Sequence, residues 1–154
     1  MTQDVRHEIA ISRIFDAPRE LVYQAFVDPD QLAQWFGPEG CSVPRETIDI
    51  DARVGGHQRF VMVVEGDQGF ENPIDATFTE VVENELLVGE MEAVGVPGVD
   101  GVLKVTLRLE FHDEGAGKTR LELVQGPFAA EIGDQTKGGW ESSFTKLDTL
   151  LSTR

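Results

Sequence analysis

The chain has 154 residues, 40% of them hydrophobic, and we expect one domain over residues 1–154 with a genuine core. Its 28 Asp and Glu outnumber its 13 Lys and Arg, which gives a formal net charge of −15 at pH 7. These acids are spread along the chain and repel phosphate backbones and anionic lipid, so we expect no nucleic acid and no membrane partner. No run of about 18 apolar residues and no apolar N-terminal region occurs, so we expect a cytoplasmic protein.

Few residues suggest metal, cofactor or nucleophilic chemistry. The single cysteine, Cys41, excludes an internal disulfide and fits a reducing compartment. Its cationic neighbour in the sequence is Arg45 alone, so we do not expect a reactive thiol. His7, His57 and His112 lie on separate segments without paired ligand spacing, so we expect no metal site. Phosphate-binding glycine loops and nucleophile elbows are missing from the sequence, and we expect no cofactor.

The first predicted elements are one strand and two short helices. Alternating apolar residues predict the strand over residues 5–15, in which Arg13 interrupts the inward face. Asp16, followed closely by a proline, opens the first helix, and Asp28 with Pro29 after it caps the second. Arg13 is either paired with a carboxylate near the end of the strand or a charged group at the mouth of a pocket.

Period-two alternation then predicts a succession of antiparallel strands with turns at residues 51–56, 66–69, 83–85 and 113–117. A fifth strand is expected over residues 86–91. The segment 93–101 is apolar but rich in Gly and Pro, and both a flap over a cavity and an irregular connection fit it. The other inward-facing residues are Ile48 and Ile50, then Gln58, Phe60, Met62 and Val64, then Ile74, Ala76 and Phe78, then Leu103, Val105, Leu107, Leu109 and Phe111, and last Thr119, Leu121, Leu123 and Gln125.

The last element is a long amphipathic helix predicted over residues 133–151. Large apolar residues recur there at intervals of three and four, which places them on one side of a helix, and charged residues occupy the other side. The apolar side contains Ile132, Thr136, Trp140, Phe144, Leu147 and Leu151. The element order predicts an α+β fold, in which a curved antiparallel sheet of about six to seven strands surrounds this helix.

Four blocks of sequence, in this order, resemble a known superfamily. The blocks are residues 13–22, residues 28–38 with Trp35 and Phe36, residues 51–62, and Gly139 with Trp140. They are similar to the START-like (SRPBCC, helix-grip, polyketide cyclase-like) superfamily, and within it to the family named after the activator of heat-shock protein 90 ATPase (AHSA-type). The resemblance implies a helix-grip fold with a cavity between the sheet and the C-terminal helix. The chaperone co-activators of that family have a further N-terminal domain, whereas this chain begins at its first strand, which disfavours a chaperone role.

The sequence therefore favours a binding protein for a small hydrophobic ligand. The inward polar residues Arg13, Gln58, Thr119 and Gln125 include no good general base, which disfavours catalysis. A cofactor-free cyclase, aromatase or hydrolase and a protein-interaction module that modulates a chaperone remain open, as does a homodimer. The expected ligand-binding residues are Trp35, Phe36, Phe60, Met62, Phe78, Leu107, Trp140 and Phe144, with Arg13 at the mouth.

Overall fold

The computed structural model describes residues 6–64, 71–94, 99 and 101–153, except the side chain of Arg6. Val5, the predicted turn 66–69 and most of the segment 93–101 lie outside the described residues. The elements in chain order are β1 (Arg6–Phe15), α1 (Arg19–Val27), α2 (Pro29–Trp35), β2 (Cys41–Ser42), a 3-10 turn (Arg45–Thr47), β3 (Asp49–Ile50), β4 (His57–Val64), β5 (Glu71–Val82), β6 (Leu86–Val94), β7 (Val102–Gly115), β8 (Lys118–Ala129) and α3 (Ala130–Ser152).

The sheet is a curled antiparallel layer with the strand order β1-β8-β7-β6-β5-β4-β2, and β3 pairs with β4. The last strand lies beside the first, and the chain between β4 and β8 runs as a meander. Strands β2 and β3 contain two residues each, and of the two residues Ile48 and Ile50 that the alternation assigned to one strand, Ile50 alone lies in a strand. The α+β fold predicted from the sequence, a curved sheet with a long C-terminal helix and two short helices after the first strand, is confirmed.

The two short helices have different N-terminal caps. Asp28 caps α2 as predicted, because its carboxylate accepts a hydrogen bond from the backbone N–H of Asp30 at 2.9 Å and Pro29 occupies the first turn. The expectation that Asp16 opens α1 is wrong. The N-cap of α1 is Pro18, whose fixed φ suits a helix start and which supplies no side-chain hydrogen bond.

Helix α3 begins earlier than predicted. The sheet was expected to end at Gly126 and Pro127, but β8 continues to Ala129, which pairs with Arg6 of β1, and the helix starts at the next residue. The buried side of α3 includes five of the six residues predicted on its apolar side, all except Thr136. Its complete buried set is Ile132, Gly133, Trp140, Ser143, Phe144, Leu147, Leu150 and Leu151.

An aromatic cluster joins α3 to the sheet and to α2. The ring of Phe144 contacts Phe15 of β1 edge-on, with ring centroids 5.4 Å apart, and stacks on Trp35 of α2 at 6.2 Å. Trp140 extends the cluster towards Phe36, at 5.4 Å. Each such ring pair stabilises the folded state by roughly 0.5–1.5 kcal/mol beyond what the burial of its apolar surface contributes. These ring contacts fasten the C-terminal half of α3 to β1 and α2.

Ion pairs cover the outer face of the sheet. Glu110 of β7 accepts hydrogen bonds from Arg108 at 2.7 Å and from His112 at 2.9 Å. The hydrogen bond from Arg108, followed by that from His112, lowers the pKa of the Glu110 carboxyl below its ordinary value. This cluster faces away from α3. We therefore expect it to affect the stability of the protein and not the space between the helix and the sheet.

We predict that Glu110→Gln destabilises the protein at neutral pH by less than about 1 kcal/mol, as expected for a partly exposed pair. A carboxyl whose pKa is lowered on folding stabilises the protein above its unfolded pKa of about 4.3, and this stabilisation disappears as the pH falls through the folded pKa. Urea unfolding of wild type and variant should therefore converge at acidic pH. Glu90→Gln, on the same face and without an ion pair among the described residues, is the control, and a pH-independent difference for Glu110→Gln would contradict this account.

A second prediction concerns two glycines of α3. A Cβ at Gly138 meets no atom within 4 Å, so Gly138→Ala should raise the free energy of unfolding by roughly 0.5–1 kcal/mol through its helix propensity. At Gly133 a Cβ would lie 3.3 Å from Ile9 Cγ2 and 3.4 Å from Phe128 Cβ, so the same substitution crowds the helix against the sheet. Chemical denaturation of the two variants should separate them, and equal stabilisation would show that the close approach at Gly133 does not constrain the helix.

Candidate ligand-binding cleft

A cleft of about 330 Å³ lies between the N-terminal half of α3 and the inward face of the sheet. One wall is the segment that joins α2 to β2, and the other walls are strands β4 to β8 and the exposed edge of α3. The lining residues are Phe36, Gly37, Pro38, Cys41, Met62, Val64, Asn72, Ile74, Met91, Ala93, Leu103, Val105, Gln125, Phe128, Gln135, Thr136, Gly139, Trp140 and Ser143.

The lining is apolar and carries no formal charge. Its described residues include no Asp, Glu, Lys, Arg or His, although the chain as a whole is strongly acidic. The polar side chains in the lining are two amides on the sheet, one on the helix, and two hydroxyls on the helix. They are Asn72, Gln125, Gln135, Thr136 and Ser143.

The hydroxyls of the lining are engaged within the protein. Thr136 donates to the carbonyl of Ile132 at 2.8 Å, and Ser143 donates to the carbonyl of Gly139 at 2.9 Å. Hydroxyls in a helix commonly bond the carbonyl one turn earlier in this way. The protons of these two hydroxyls are therefore already used within α3.

Gln125 of β8 lies at the base of the cleft and is buried. The indole N–H of Trp140 donates to its Oε1 at 2.7 Å, and its Nε2 donates to the sulfur of Met91 at 3.3 Å. The first bond satisfies the Trp140 donor, which would be costly to bury without a partner. The sheet and α3 are thus joined across the cleft by a buried polar contact.

The segment after α2 is fastened to α3. The backbone N–H of Glu39 donates to Ser142 Oγ at 2.8 Å, and Pro38 packs on Gly139. Gly37 adopts φ 98°, which favours glycine, and a Cβ there would lie 3.5 Å from the sulfur of Met62. This wall of the cleft therefore favours glycine at position 37, for its backbone conformation, whereas a Cβ at Gly139 would meet Pro38 at an ordinary contact distance of 3.9 Å.

A small enclosed void of about 20 Å³ lies behind the cleft, deeper under the sheet. Phe36, Met91 and Trp140 line both spaces and so form the partition between them. The void has room for about one water or methyl group, since a water needs roughly 10–15 Å³ measured in this way. The rest of the void is lined by Phe26, Gln58, Ala76, Phe78, Leu87, Gly89, Leu107 and Leu109.

A wider depression of about 510 Å³ lies on the outer face of the sheet. It is lined largely by exposed side chains of both signs, among them Arg59 and Asp75, which pair with each other at 3.3 Å. Exposed pairs of this kind are solvated and offset one another, so they provide no preference for a ligand of either charge. The apolar cleft is the better candidate site.

The sequence-predicted site residues fall into three groups. Phe36, Met62 and Trp140 line the cleft. Phe78 and Leu107 line only the small void behind it. Trp35, Phe60 and Phe144 are buried in the core. The indole N–H of Trp35 donates to the carbonyl of Ala25 at 2.8 Å. A ligand contact by any of these residues stays a prediction.

Arg13 lies apart from the cleft. Its guanidinium donates to the Asp148 carboxylate on α3 and lies over the rings of Phe15 and Phe144, at 5.5 and 5.9 Å from their centroids. The alternative of a carboxylate-paired arginine is therefore the one found. The other inward polar residues also tie elements together, since Thr119 donates to the carbonyl of Ala17 at 2.7 Å and Gln58 to that of Phe26 at 3.2 Å.

Several lining residues were not among the predicted ones. Asn72 and Ala93 lie on the inward face of their strands. The alternation of side chains along a strand therefore indicated both residues, but the prediction selected only large apolar side chains. Cys41 had no such signal, because its position depends on how the segment after α2 folds back over α3.

Two features are absent from the described part of the chain. No group of three or more His, Cys, Asp or Glu side chains within it is arranged to hold a metal ion. Among the same residues, no helix combines the length and the apolar character needed to cross a membrane.

Comparison with known proteins agrees with the fold. A crystal structure from Chromobacterium violaceum is 26% identical, with a TM-score of 0.80 over 94% of this chain and 97% of that one. An AHSA1 protein from Silicibacter pomeroyi is 25% identical, with a TM-score of 0.78 over 96% of this chain and 99% of that one. No curated protein matches the sequence. The profile of the family described as "Activator of Hsp90 ATPase homolog 1-like protein" matches residues 16–152, and the chain therefore belongs to the AHSA1 family.

Proposed function

We propose that this protein binds an uncharged, mainly apolar small molecule in the cleft between α3 and the sheet. The observation that carries the proposal is an apolar cleft without a charged side chain among its described lining residues, in a chain of net charge −15. Small-molecule sites are typically concave, largely apolar and supplied with a few polar groups. The cleft has all three properties.

The size of the cleft fits this role. Its volume of about 330 Å³ is at the lower end of the roughly 300–1,000 Å³ of small-molecule sites. An apolar ligand gains about 25 cal/mol for each Å² of its apolar surface that leaves water. Because α3 is held by its packed C-terminal half, such a ligand enters a space that does not have to be opened first.

The described residues give little support to the alternative that the protein is an enzyme. An acid–base reaction on a bound ligand needs a titratable group at the reacting atom. The described lining contains no carboxylate or imidazole, and Cys41 is its one ionisable side chain. Binding therefore explains the composition of the cleft better than turnover does.

Chaperone modulation stays an alternative prediction. The description of the family names an activator of the Hsp90 ATPase, and this description is what supports the alternative. The acidic surface suits a basic partner, but solubility explains such a surface equally well.

We predict that uncharged apolar compounds raise the melting temperature and slow the alkylation of Cys41. Cys41 lines the cleft and is the only cysteine of the chain, so its reaction with a maleimide reports on occupancy. A ligand that binds the native state stabilises it by mass action. Mass spectrometry should show slower labelling with a compound that raises the melting temperature. Unchanged labelling in the presence of stabilising compounds would place them outside the cleft.

A matched pair of substitutions tests the location directly. Ala93 lies on β6 and lines the cleft, so Ala93→Phe should fill part of it and weaken binding by roughly tenfold or more, the equivalent of losing about 1.4 kcal/mol of apolar burial. Thr106 lies on the exposed outer face of neighbouring β7, so Thr106→Phe adds the same ring without entering the cleft. Calorimetric titration of both variants should separate them, and equal affinities would overturn the proposed site.

A further inference from the structure

We propose that the side-chain amide of Gln125 selects the ligand, and that the ligand is an uncharged, mainly apolar molecule bearing a carbonyl group. The inference rests on the proposed binding function of the cleft and adds the chemical class of molecule that the cleft takes. It depends on one buried amide whose two ends have very different partners.

The orientation of the amide follows from the chemistry of its neighbour. Gln125 is 5% exposed and lines the cleft, and its Oε1 accepts the indole N–H of Trp140 at 2.7 Å. An indole nitrogen is a donor and never an acceptor, so the oxygen end of the amide must face Trp140. The NH₂ group then points the other way, where its partner is the sulfur of Met91 at 3.3 Å.

That partner leaves most of the donor strength unused. A thioether is a weak acceptor, and an amide nitrogen carries two N–H groups. The other buried donors have stronger partners, because the hydroxyls of Thr136 and Ser143 donate to carbonyl oxygens at 2.8 and 2.9 Å. Asn72 has a partner of its own, and Gln135 is exposed. A ligand oxygen placed near Met91 would therefore form a stronger hydrogen bond with Gln125 than the sulfur does.

The same geometry distinguishes between kinds of ligand oxygen. A carboxylate would be buried against neutral donors, without a cation in the described lining, and the charge of the chain would repel it. An alcohol could accept from Gln125, but its own proton would then need a second acceptor at the same place, where the neighbouring atom is the weakly accepting sulfur of Met91. A ketone or ester oxygen accepts and has no proton to place. The carbonyl group is the best match.

A set of equally sized ligands tests the assignment. Acetylnaphthalene, isopropylnaphthalene, naphthylethanol and naphthoate, all substituted at the same ring position, share one apolar body and differ in the oxygen that they present. Calorimetric titration of the wild-type protein should give the tightest binding for the ketone. The expected preference over the hydrocarbon is roughly threefold to tenfold, the usual range for one net hydrogen bond.

Two variants separate the donor from the rest of the cleft. Gln125→Met keeps the length of the side chain and removes the amide, and it is combined with Trp140→Phe so that the indole N–H, which would lose its acceptor, cannot donate to the ligand instead. This double variant should abolish the preference for the ketone while the hydrocarbon still binds. Thr145→Val is the matched control, because Thr145 lies on the exposed side of α3 outside the cleft and the hydroxyl that the substitution removes donates to the carbonyl of Ser142 at 2.7 Å. Its ketone preference should equal that of the wild type.

The infrared spectrum of the ketone bound to the wild-type protein tests the hydrogen bond without requiring any variant to fold. A hydrogen bond from Gln125 should move the carbonyl stretching band to lower frequency than in an alkane solvent. In the Gln125→Met, Trp140→Phe double variant the band should return to its alkane position, and in Thr145→Val it should remain shifted.

The outcomes distinguish this inference from the proposed function. If no member of the set binds the wild type, both fail together. Equal binding of ketone and hydrocarbon, or an unshifted carbonyl band, would overturn the role of Gln125 and leave an apolar binding cleft. Binding of naphthoate or of the alcohol as tight as that of the ketone would overturn the assigned ligand class.

Discussion

The contact between the aromatic side of α3 and β1 is the constraint on which the rest of the structure depends. Phe144 meets Phe15 edge-on and Trp35 face-on, and Leu147 is fully buried beside them. At the other end, Gly133 lets the helix approach Ile9 and Phe128 closely. The helix lies against β1 and β8, and open space remains between it and strands β4 to β7. The cleft is that remaining space.

Trp140 lies where the packed core ends and the cleft begins. Its ring contacts Phe144 at 5.6 Å and Phe36 at 5.4 Å, so it belongs to the aromatic cluster. Its N–H is buried as well and needs an acceptor, which Gln125 supplies from the sheet. One polar contact therefore does two things: it satisfies an indole that packing has buried, and it orients an amide towards the cleft.

Charge and apolar surface are separated by the two faces of the sheet. The outer face carries ion pairs such as Arg59 with Asp75 and Arg108 with Glu110, where water screens them. On the inner side, Arg13 is paired with Asp148 and lies over aromatic rings, away from the cleft. The described residues that line the cleft consequently carry no formal charge within a strongly acidic protein. A neutral interior of this kind favours a ligand that brings little charge of its own.

The sequence by itself determined the fold class, because alternation along β7 and β8 and the three-and-four spacing of Trp140, Phe144 and Leu147 are local patterns that backbone geometry imposes. It also placed Gln125 and Met62 on the inward side, since parity along a strand follows from the pleat. Only the tertiary structure decided which inward residues fill the core and which border open space. Trp35 and Phe36 are neighbours, yet one is fully buried and the other lines the cleft. That difference depends on how far α3 lies from each strand, a distance set by side chains remote in sequence, and no local pattern contains it.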